Sequence, residues 1–261
     1  MNDATSLAGW ARPDERPFLR RVFDMTGTVI ADRRWRLTDF LTPREQYLLQ
    51  SVANHEGVCT AMCGGPEHAE RKRALMMPED WYPAAEDFQI TLLFASTLSG
   101  AEVTHGSALG SLLGTGLNRR KIGDIYPQDG GVYVAVCDDV AEFLLQEWVQ
   151  VGRDVIRVEK VTRPVNLLAP QYEEEVVSVS SLRADAVLAQ ACRWSRSTAQ
   201  QAIQKSMVTL NFTELDKPDV ALDVGDLLSI RGFGRIRLLA LQGESRKGRQ
   251  RVKIGVLRSG R

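Results

Sequence analysis

Cysteine and histidine are scarce in this chain. The cysteines number 4 in 261 residues, at positions 59, 63, 137 and 192, with no framework spacing. That excludes a disulfide-stapled scaffold and fits reduced thiols in a cytosolic protein. The 3 histidines, His55, His68 and His105, stand without a paired nucleophile and base, so catalysis has little to build on. No apolar run approaches the roughly 20 residues that span a bilayer. The stretch Met1 to Arg20 carries charges and prolines where a signal peptide would carry its apolar centre, so a cytoplasmic location and no membrane partner are expected. No internal repeat and no low-complexity tract is present. Net charge is also missing: 33 Lys+Arg balance 33 Asp+Glu.

That balance conceals a segregation. From Ser181 to Arg261 there are 15 Lys/Arg against 7 Asp/Glu, net +8, which leaves 18 against 26, net −8, for the rest. A basic module is fused to an acidic one, as suits a tail that grips a polyanion while the body does something else. With 44% hydrophobic and 25% charged residues, the chain is long enough to bury cores for two domains or three small ones.

Phe18, Leu19, Val22 and Phe23 recur at helical spacing within Pro13 to Met25. Thr42-Pro43-Arg44-Glu45 predicts a second helix start: a capping threonine, a proline at the first helical position and a glutamate three residues after the cap. Val58 to Met62 reads as a strand ended by Gly64-Gly65-Pro66. Glu67 to Met77 is charge-rich around Arg71-Lys72-Arg73, where Glu67 and Glu70 can pair at helical spacing. Pro78 and Pro83 bracket a boundary. From about residue 86 the order becomes strand (Phe88 to Phe94), helix (Ala108 to Leu117), strand (Val132 to Cys137), helix (Val140 to Val151) and strand (Val155 to Val161), an α/β unit with helices against one sheet. Thr162 to Glu175, with its prolines and adjacent glutamates, reads as a linker.

In the basic tail, Leu182 to Ala191 forms one helix and Ser195 caps the next, through Ala199, Ala202 and Ile203. Strands follow at Val208 to Leu210 and Leu227 to Ile230. A hairpin then runs from Arg235 to Leu241, through Arg246-Lys247-Gly248, and back over Arg249 to Leu257. On its return strand Arg249, Arg251 and Lys253 share one face and Val252, Ile254 and Val256 the other, because strand side chains alternate.

Arg183-Ala184-Asp185, Ser195-Arg196, Ile203, Val208, Asn211 and Gly225-Asp226 resemble the small RNA-binding domain named after the fourth small-subunit ribosomal protein. With Ile230-Arg231-Gly232-Phe233-Gly234-Arg235, Leu41 to Glu45, Ala69 to Ala74, Leu109 to Gly114 and Arg120 to Ile125, the chain resembles the bacterial YlmH family over nearly its whole length. The resemblance implies an α+β, multi-domain protein. It would have a small α/β N-terminal domain over 1–83, a central RNA-binding domain similar to an RNA-recognition motif over 84–165, and a C-terminal RNA-binding domain of two helices and a small sheet over 176–261. It also implies non-enzymatic binding of structured RNA, 23S rRNA and tRNA, on the large ribosomal subunit in ribosome-associated quality control, with an older association with cell division. No cofactor and no small-molecule substrate are expected. The sequence departs from the family pattern at Ser206, where a glycine is usual, at Asn211-Phe212, where Asn-Gly is usual, and at Ala184, where leucine is usual.

The candidate RNA contacts are Arg183, Ser195, Arg196, Ser197, Gln200, Lys205, Arg231, Arg235, Arg237, Arg249, Arg251 and Lys253, with Arg119, Arg120 and Lys121 as a second group in the central domain. Each cation that neutralises a phosphate releases counterions, giving salt-dependent affinity. Arg196, just inside a helix start, adds charge where backbone N–H groups favour phosphate. Arg183, Lys205 and Arg231 are expected to surround it. Structured RNA is read by shape and backbone, so an aromatic stacking series is not required.

Other patterns fail. His55, Cys59, Cys63 and His68 fall within fourteen residues but lack the close cysteine pairing of a structural zinc site, so no metal is expected. Gly110, Gly114 and Gly116 lack the lysine of a phosphate loop and the third glycine of a dinucleotide fingerprint, and read instead as permitting close helix packing. His105-Gly106 resembles part of a tRNA-synthetase signature without its lysine-serine companion. A pseudouridine synthase carries a similar RNA-binding domain, usually ahead of a large catalytic domain. The alternatives to a binding factor are therefore an RNA-modifying enzyme that uses the tail for delivery and a scaffold for division proteins.

Overall fold

The computed structural model describes residues 15–169, 171–244 and 248–258, which hold six α-helices and fourteen strands. The chain divides into two units, Met1–Ala169 and Pro170–Arg261.

In the first unit, helix α1 (Arg16–Asp32) buries Phe18, Leu19, Val22, Thr26 and Val29 on one stripe, the face the apolar spacing marks; Pro13 lies outside the described residues. Strand β1 (Arg36–Leu41) leads into α2 (Pro43–Glu56), where Thr42 and Glu45 form the predicted capping box. The Glu45 N–H donates to Thr42 Oγ1 at 3.3 Å and the Thr42 N–H donates to Glu45 Oε2 at 2.9 Å. Such a cap contributes about 1 kcal/mol. Strands β2 (Cys59–Cys63) and β3 (Lys72–Met77) complete an antiparallel sheet in the order β1-β3-β2. Leu48, Leu49 and Val52 of α2 join the α1 stripe over Ala74 and Met76.

The helical pairing expected for Arg71-Lys72-Arg73 is not what forms. Lys72 and Arg73 open a central strand, and Arg71 and Arg73 are buried. The Arg71 guanidinium donates to the Phe40 carbonyl, and that of Arg73 donates to the carbonyls of Thr38, Phe88 and Gln89. The backbone acceptors come from two other segments, β1 and Phe88-Gln89, which local spacing does not reveal.

The rest of this unit runs β4 (Ile90–Thr97), α3 (His105–Gly114), β5 (Ile122–Gln128), β6 (Gly131–Cys137), α4 (Asp138–Glu147), β7 (Gln150–Val151) and β8 (Asp154–Lys160). Strand β5 adds to the expected series. The antiparallel sheet has the order β5-β6-β4-β8-β7, with both helices on one face over Leu93, Ile122, Val134 and Val136. On the opposite face Phe40, fully buried, packs against Ala135 and Cys137. Gly123 makes room for it: a Cβ there would lie 2.7 Å from the Phe40 ring and 3.1 Å from Ala135. Close packing is not the role of Gly110 and Gly114, however, since nothing lies within 4 Å of where their Cβ atoms would be.

In the second unit, β9 (Glu173–Val179), β10 (Val208–Leu210), β11 (Thr213–Glu214), β12 (Leu227–Ile230), β13 (Gly234–Glu244) and β14 (Gln250–Arg258) form one antiparallel sheet. Its order is β11-β10-β12-β13-β14-β9. The stretch expected to be linker up to Glu175 thus ends sooner, because its glutamates enter β9 and pair along β14. Helices α5 (Ala184–Ala191) and α6 (Arg196–Gln204) cover the inner face, burying Val187, Leu188 and Ile203 against Ile236, Val252, Ile254 and Val256. Ser206, Asn211 and Phe212 adopt left-handed φ of 53°, 49° and 69°, so the substitutions leave the glycine-type turns intact. Asn211 and Phe212 form the two-residue link between β10 and β11, whose positive φ at both positions is that of a type I′ hairpin. Asn211 fixes it by donating to Asp226 at 2.7 Å and accepting the Leu227 N–H at 3.0 Å. The expected turn residues Arg246 and Lys247 lie outside the described residues.

Candidate nucleic-acid interface

Arg183 sits immediately before α5 and Arg196 opens α6. Between them lies Asp185, which has no exposed surface. Arg183 donates Nε to Oδ1 at 3.2 Å and a terminal nitrogen to Oδ2 at 3.3 Å. Arg196 approaches in the same forked manner at 3.1 and 3.2 Å, and Gln200, one turn further along α6, donates to Oδ2 at 2.8 Å. Burial would raise the Asp185 pKa, but the hydrogen bonds from Arg196, Gln200 and Arg183 outweigh it and bring the carboxyl down to about 2. The arginine side chains stay 40% and 48% exposed. The result is a pair of outward-facing guanidinium groups held in register by a buried carboxylate, with one net positive charge left over. Beside them Ser195 Oγ accepts the Thr198 N–H at 3.0 Å and lies 2.8 Å from Ser197 Oγ, so the hydroxyls line the start of α6.

Lys205 and Arg231 do not join this group. Lys205 ends α6, about 13 Å along the axis from Arg196 at 1.5 Å per residue, and the Arg231 N–H donates to Met207 O just beyond it. The expected ring around Arg196 is therefore two exposed basic positions, one at each end of the helix.

A third group lies on the outer face of the sheet. Alternation places Arg251 and Lys253 outward from the buried Val252, Ile254 and Val256, as the sequence indicates. The register of β13 on β14 sets Arg235 opposite Leu257 and Arg237 opposite Gly255, on that same face. Two aromatic rings support them: Arg235 lies 5.9 Å from the Phe212 centroid and Arg237 lies 5.3 Å from that of Tyr172. Strand β9 partly neutralises the stripe. Lys253 pairs with Glu174 at 2.7 Å, whereas Arg258, on the face of Val256, pairs with Glu175 at 3.3 Å and Glu173 at 3.7 Å away from the stripe. Arg249, just before β14, donates to the Ser178 carbonyl at 2.6 Å. Arg251 is exposed.

Arg119, Arg120 and Lys121 are engaged within the protein. They form a 3-10 turn in which Arg119 donates to the carbonyls of Ile122 and Gly123. Arg120 reaches Glu45 at 2.7 Å, and Lys121 reaches Asp39 at 2.8 Å and Asp139 at 2.7 Å. Burial opposes the Lys121 charge, but the two carboxylates prevail and push its pKa up. These residues tie the α2 and β1 region to the central sheet.

Sequence reasoning missed an aromatic row on that sheet. Phe94 and Tyr133, direct partners on β4 and β6, have ring centroids 4.6 Å apart, and Tyr126 adjoins Tyr133. Leu167 packs over them, and Gln128 holds this segment by donating to Asn166 O at 3.0 Å and accepting the Leu168 N–H at 3.2 Å. One aromatic in each of three strand-forming segments, Phe94, Tyr126 and Tyr133, is the signal that could have revealed it.

Cys59 and Cys63 lie on one face of β2, about 13 Å apart along the strand at 3.3 Å per residue. His68 is turned instead onto Tyr126, with ring centroids 5.5 Å apart. Among the described residues no three metal-ligating side chains converge, and no helix is long and apolar enough to cross a membrane.

Residues 14–81 match the family model "YlmH, N-terminal", and residues 83–164 match the one described as "Putative RNA-binding domain in YlmH". The chain is 37% identical over 245 residues to the "Ribosome-associated protein quality control protein P2" of Bacillus subtilis (strain 168), covering 92% of this chain and 95% of that one. Its fold is similar to that of the solved "Cell division protein ylmH from Streptococcus pneumoniae", with a TM-score of 0.54 at 23% identity over 59% of this chain and 93% of the other. Identity sustained across nearly the full length of both the chain and its Bacillus relative shows that this protein belongs to the YlmH family.

Proposed function

We propose that the protein binds structured RNA, rRNA and tRNA, on the large ribosomal subunit and acts in quality control of stalled translation without making or breaking covalent bonds. The observation that carries this is the buried Asp185 fixing Arg183 and Arg196 as an outward-facing pair at the start of α6. A positioned guanidinium pair at a helix start suits two phosphate oxygens, through forked charge-assisted hydrogen bonds and the helix dipole. Lys205, Arg231 and Arg251 are exposed further along the same unit and supply the additional charge that spans a backbone.

The name of the Bacillus relative supports the ribosomal setting. Apart from the two-residue β7, which adds to the edge at β8, the chain order strand-helix-strand-strand-helix-strand and the sheet order β5-β6-β4-β8 support a central domain like an RNA-recognition motif. Its aromatic face is covered by Leu167, so RNA gripping falls to the C-terminal unit. There, two helices against a small sheet support a domain of the type named after the fourth small-subunit ribosomal protein.

Co-sedimentation with purified large subunits over a salt series tests the proposal. Binding is expected to fade as salt rises and to fall in the double variant Arg196→Ala, Arg231→Ala. Unchanged sedimentation of a folded double variant would remove the basis of the proposal, and altered nucleosides in the bound RNA would remove its non-catalytic part.

A further inference from the structure

A cleft of 680 Å³ opens between the end of α1 with the start of β1 on one side and the loop after β3 on the other. The cations and rings around it are Arg33, Arg34, Arg36, Arg73, Trp35 and Trp81, with Asp80 the single acid of the lining among the described residues. Arg33 turns the chain with a left-handed φ of 50° and reaches Asp80 at 3.1 Å; Arg36 reaches Asp32 at 3.0 Å. The loop is closed by the Trp81 N–H donating to Pro78 O at 3.3 Å, which sets the Trp81 ring 5.9 Å from Trp35 with planes 18° apart. Trp35 remains 37% exposed.

At the floor, Arg73 is 6% exposed, and its hydrogen bonds among the described residues go to carbonyls at 2.6 to 2.9 Å, none to a carboxylate. Buried charges ordinarily have an opposite charge beside them. This one is solvated by neutral dipoles, and its field is available to the cleft. The walls thus offer flat aromatic faces together with guanidinium groups, which suits a ligand that is both planar and anionic. A cleft of this volume is in the range of small-molecule sites, about 300 to 1,000 Å³.

We propose that this cleft binds an unpaired nucleotide, its base against the Trp35–Trp81 stack and its phosphate against Arg33, Arg34 and Arg36. Only an unpaired base presents a free face to such a recess, and stacking tolerates any base. Resting on the RNA-binding reading for its source, the ligand is an unpaired stretch of the bound RNA; a free mononucleotide has the same chemistry.

The test uses the full chain and a short single-stranded oligoribonucleotide containing thiouridine. Photo-crosslinking and peptide mapping are expected to place adducts on the segments holding Trp35 or Trp81, and anisotropy is expected to show at least about fivefold weaker binding by Trp35→Ala. Arg34→Glu, at an exposed side chain whose replacement leaves packing alone, should weaken binding similarly. Competition by adenosine monophosphate would assign the free nucleotide as the source, and its failure to compete would assign the strand. Adducts confined to other segments, with Arg34→Glu binding as the parent does, would overturn the site. A parallel variant, Arg196→Ala with Arg231→Ala, separates the two ideas. If it keeps full affinity for large subunits while cleft adducts persist, the C-terminal grip falls and the cleft stands; the reverse pattern sinks only the cleft.

Discussion

Replacing Asp185 by Asn removes the charge that organises the arginine pair while preserving shape. The carboxylate accepts five hydrogen bonds, two each from Arg183 and Arg196 and one from Gln200. Its pKa is brought from 3.8 to about 2, which corresponds to about 2 kcal/mol of stability at neutral pH. The arginines it leaves behind are 40% and 48% exposed, so water takes over their solvation. The loss should therefore stay below the roughly 3 to 5 kcal/mol of a severed, fully buried pair. Because the folded-state pKa is depressed, the contribution is complete above the unfolded value of about 4 and disappears as pH falls through about 2. Urea unfolding at pH 7, following Trp194, whose ring lies 6.1 Å from that of Phe233 in this unit, should show the midpoint falling by about 1 to 2 M at unchanged slope. The gap between parent and variant should narrow between pH 4 and pH 2. The variant is one charge more positive, so net charge alone predicts tighter RNA binding, whereas loss of arginine positioning predicts weaker binding. A stability change under about 0.5 kcal/mol, or a gain in RNA affinity, would refute the positioning role of Asp185.

Gly123→Ala should destabilise the first unit by about 1 to 3 kcal/mol through overpacking, since the new methyl meets the Phe40 ring at 2.7 Å; thermal unfolding measures this, and Phe40→Leu in the same chain should restore part of it. Phe212→Gly should stabilise the second unit by about 1 kcal/mol of relieved left-handed strain, and an unchanged or lower unfolding midpoint would show that the ring's packing against Arg235 at 5.9 Å outweighs the strain. If Arg231 and Arg251 each neutralise a phosphate, changing both to Ala should flatten the slope of log affinity against log salt by about 1 per arginine replaced, and an unchanged slope would exclude both.

What could be read from the sequence was what local chemistry decides. The α2 cap was legible because Thr42, Pro43 and Glu45 hold all its parts within one turn, and the sided β14 strand because alternation alone sorts Arg251 and Lys253 from Val252 and Ile254. The role of Asp185 was hidden since its partner Arg196 lies eleven residues away, and a carboxylate in a basic motif reads as incidental. Arg73 was misplaced for the same reason: its carbonyl acceptors come from Thr38, Phe88 and Gln89. Glu173 to Glu175 looked like a solvated linker because three adjacent acids disfavour a strand until Lys253 and Arg258 of β14 pair with them. At the candidate site, Arg183, Arg196 and Gln200 gather as one group, whereas Lys205 and Arg231 lie at the far end of α6. Only the crossing of the two helices decides that.

Phe40 belongs by sequence to the first small sheet, yet its ring is enclosed by Ala135, Cys137 and the space above Gly123. Melting of the first sheet alone would empty a cavity the size of a benzyl group in the central one, and melting of the central one alone would leave the ring bare to water. A protease that nicks the connecting stretch between Pro78 and Ala84 would therefore leave two fragments that travel together through a sizing column, joined by a plug rather than by the peptide chain.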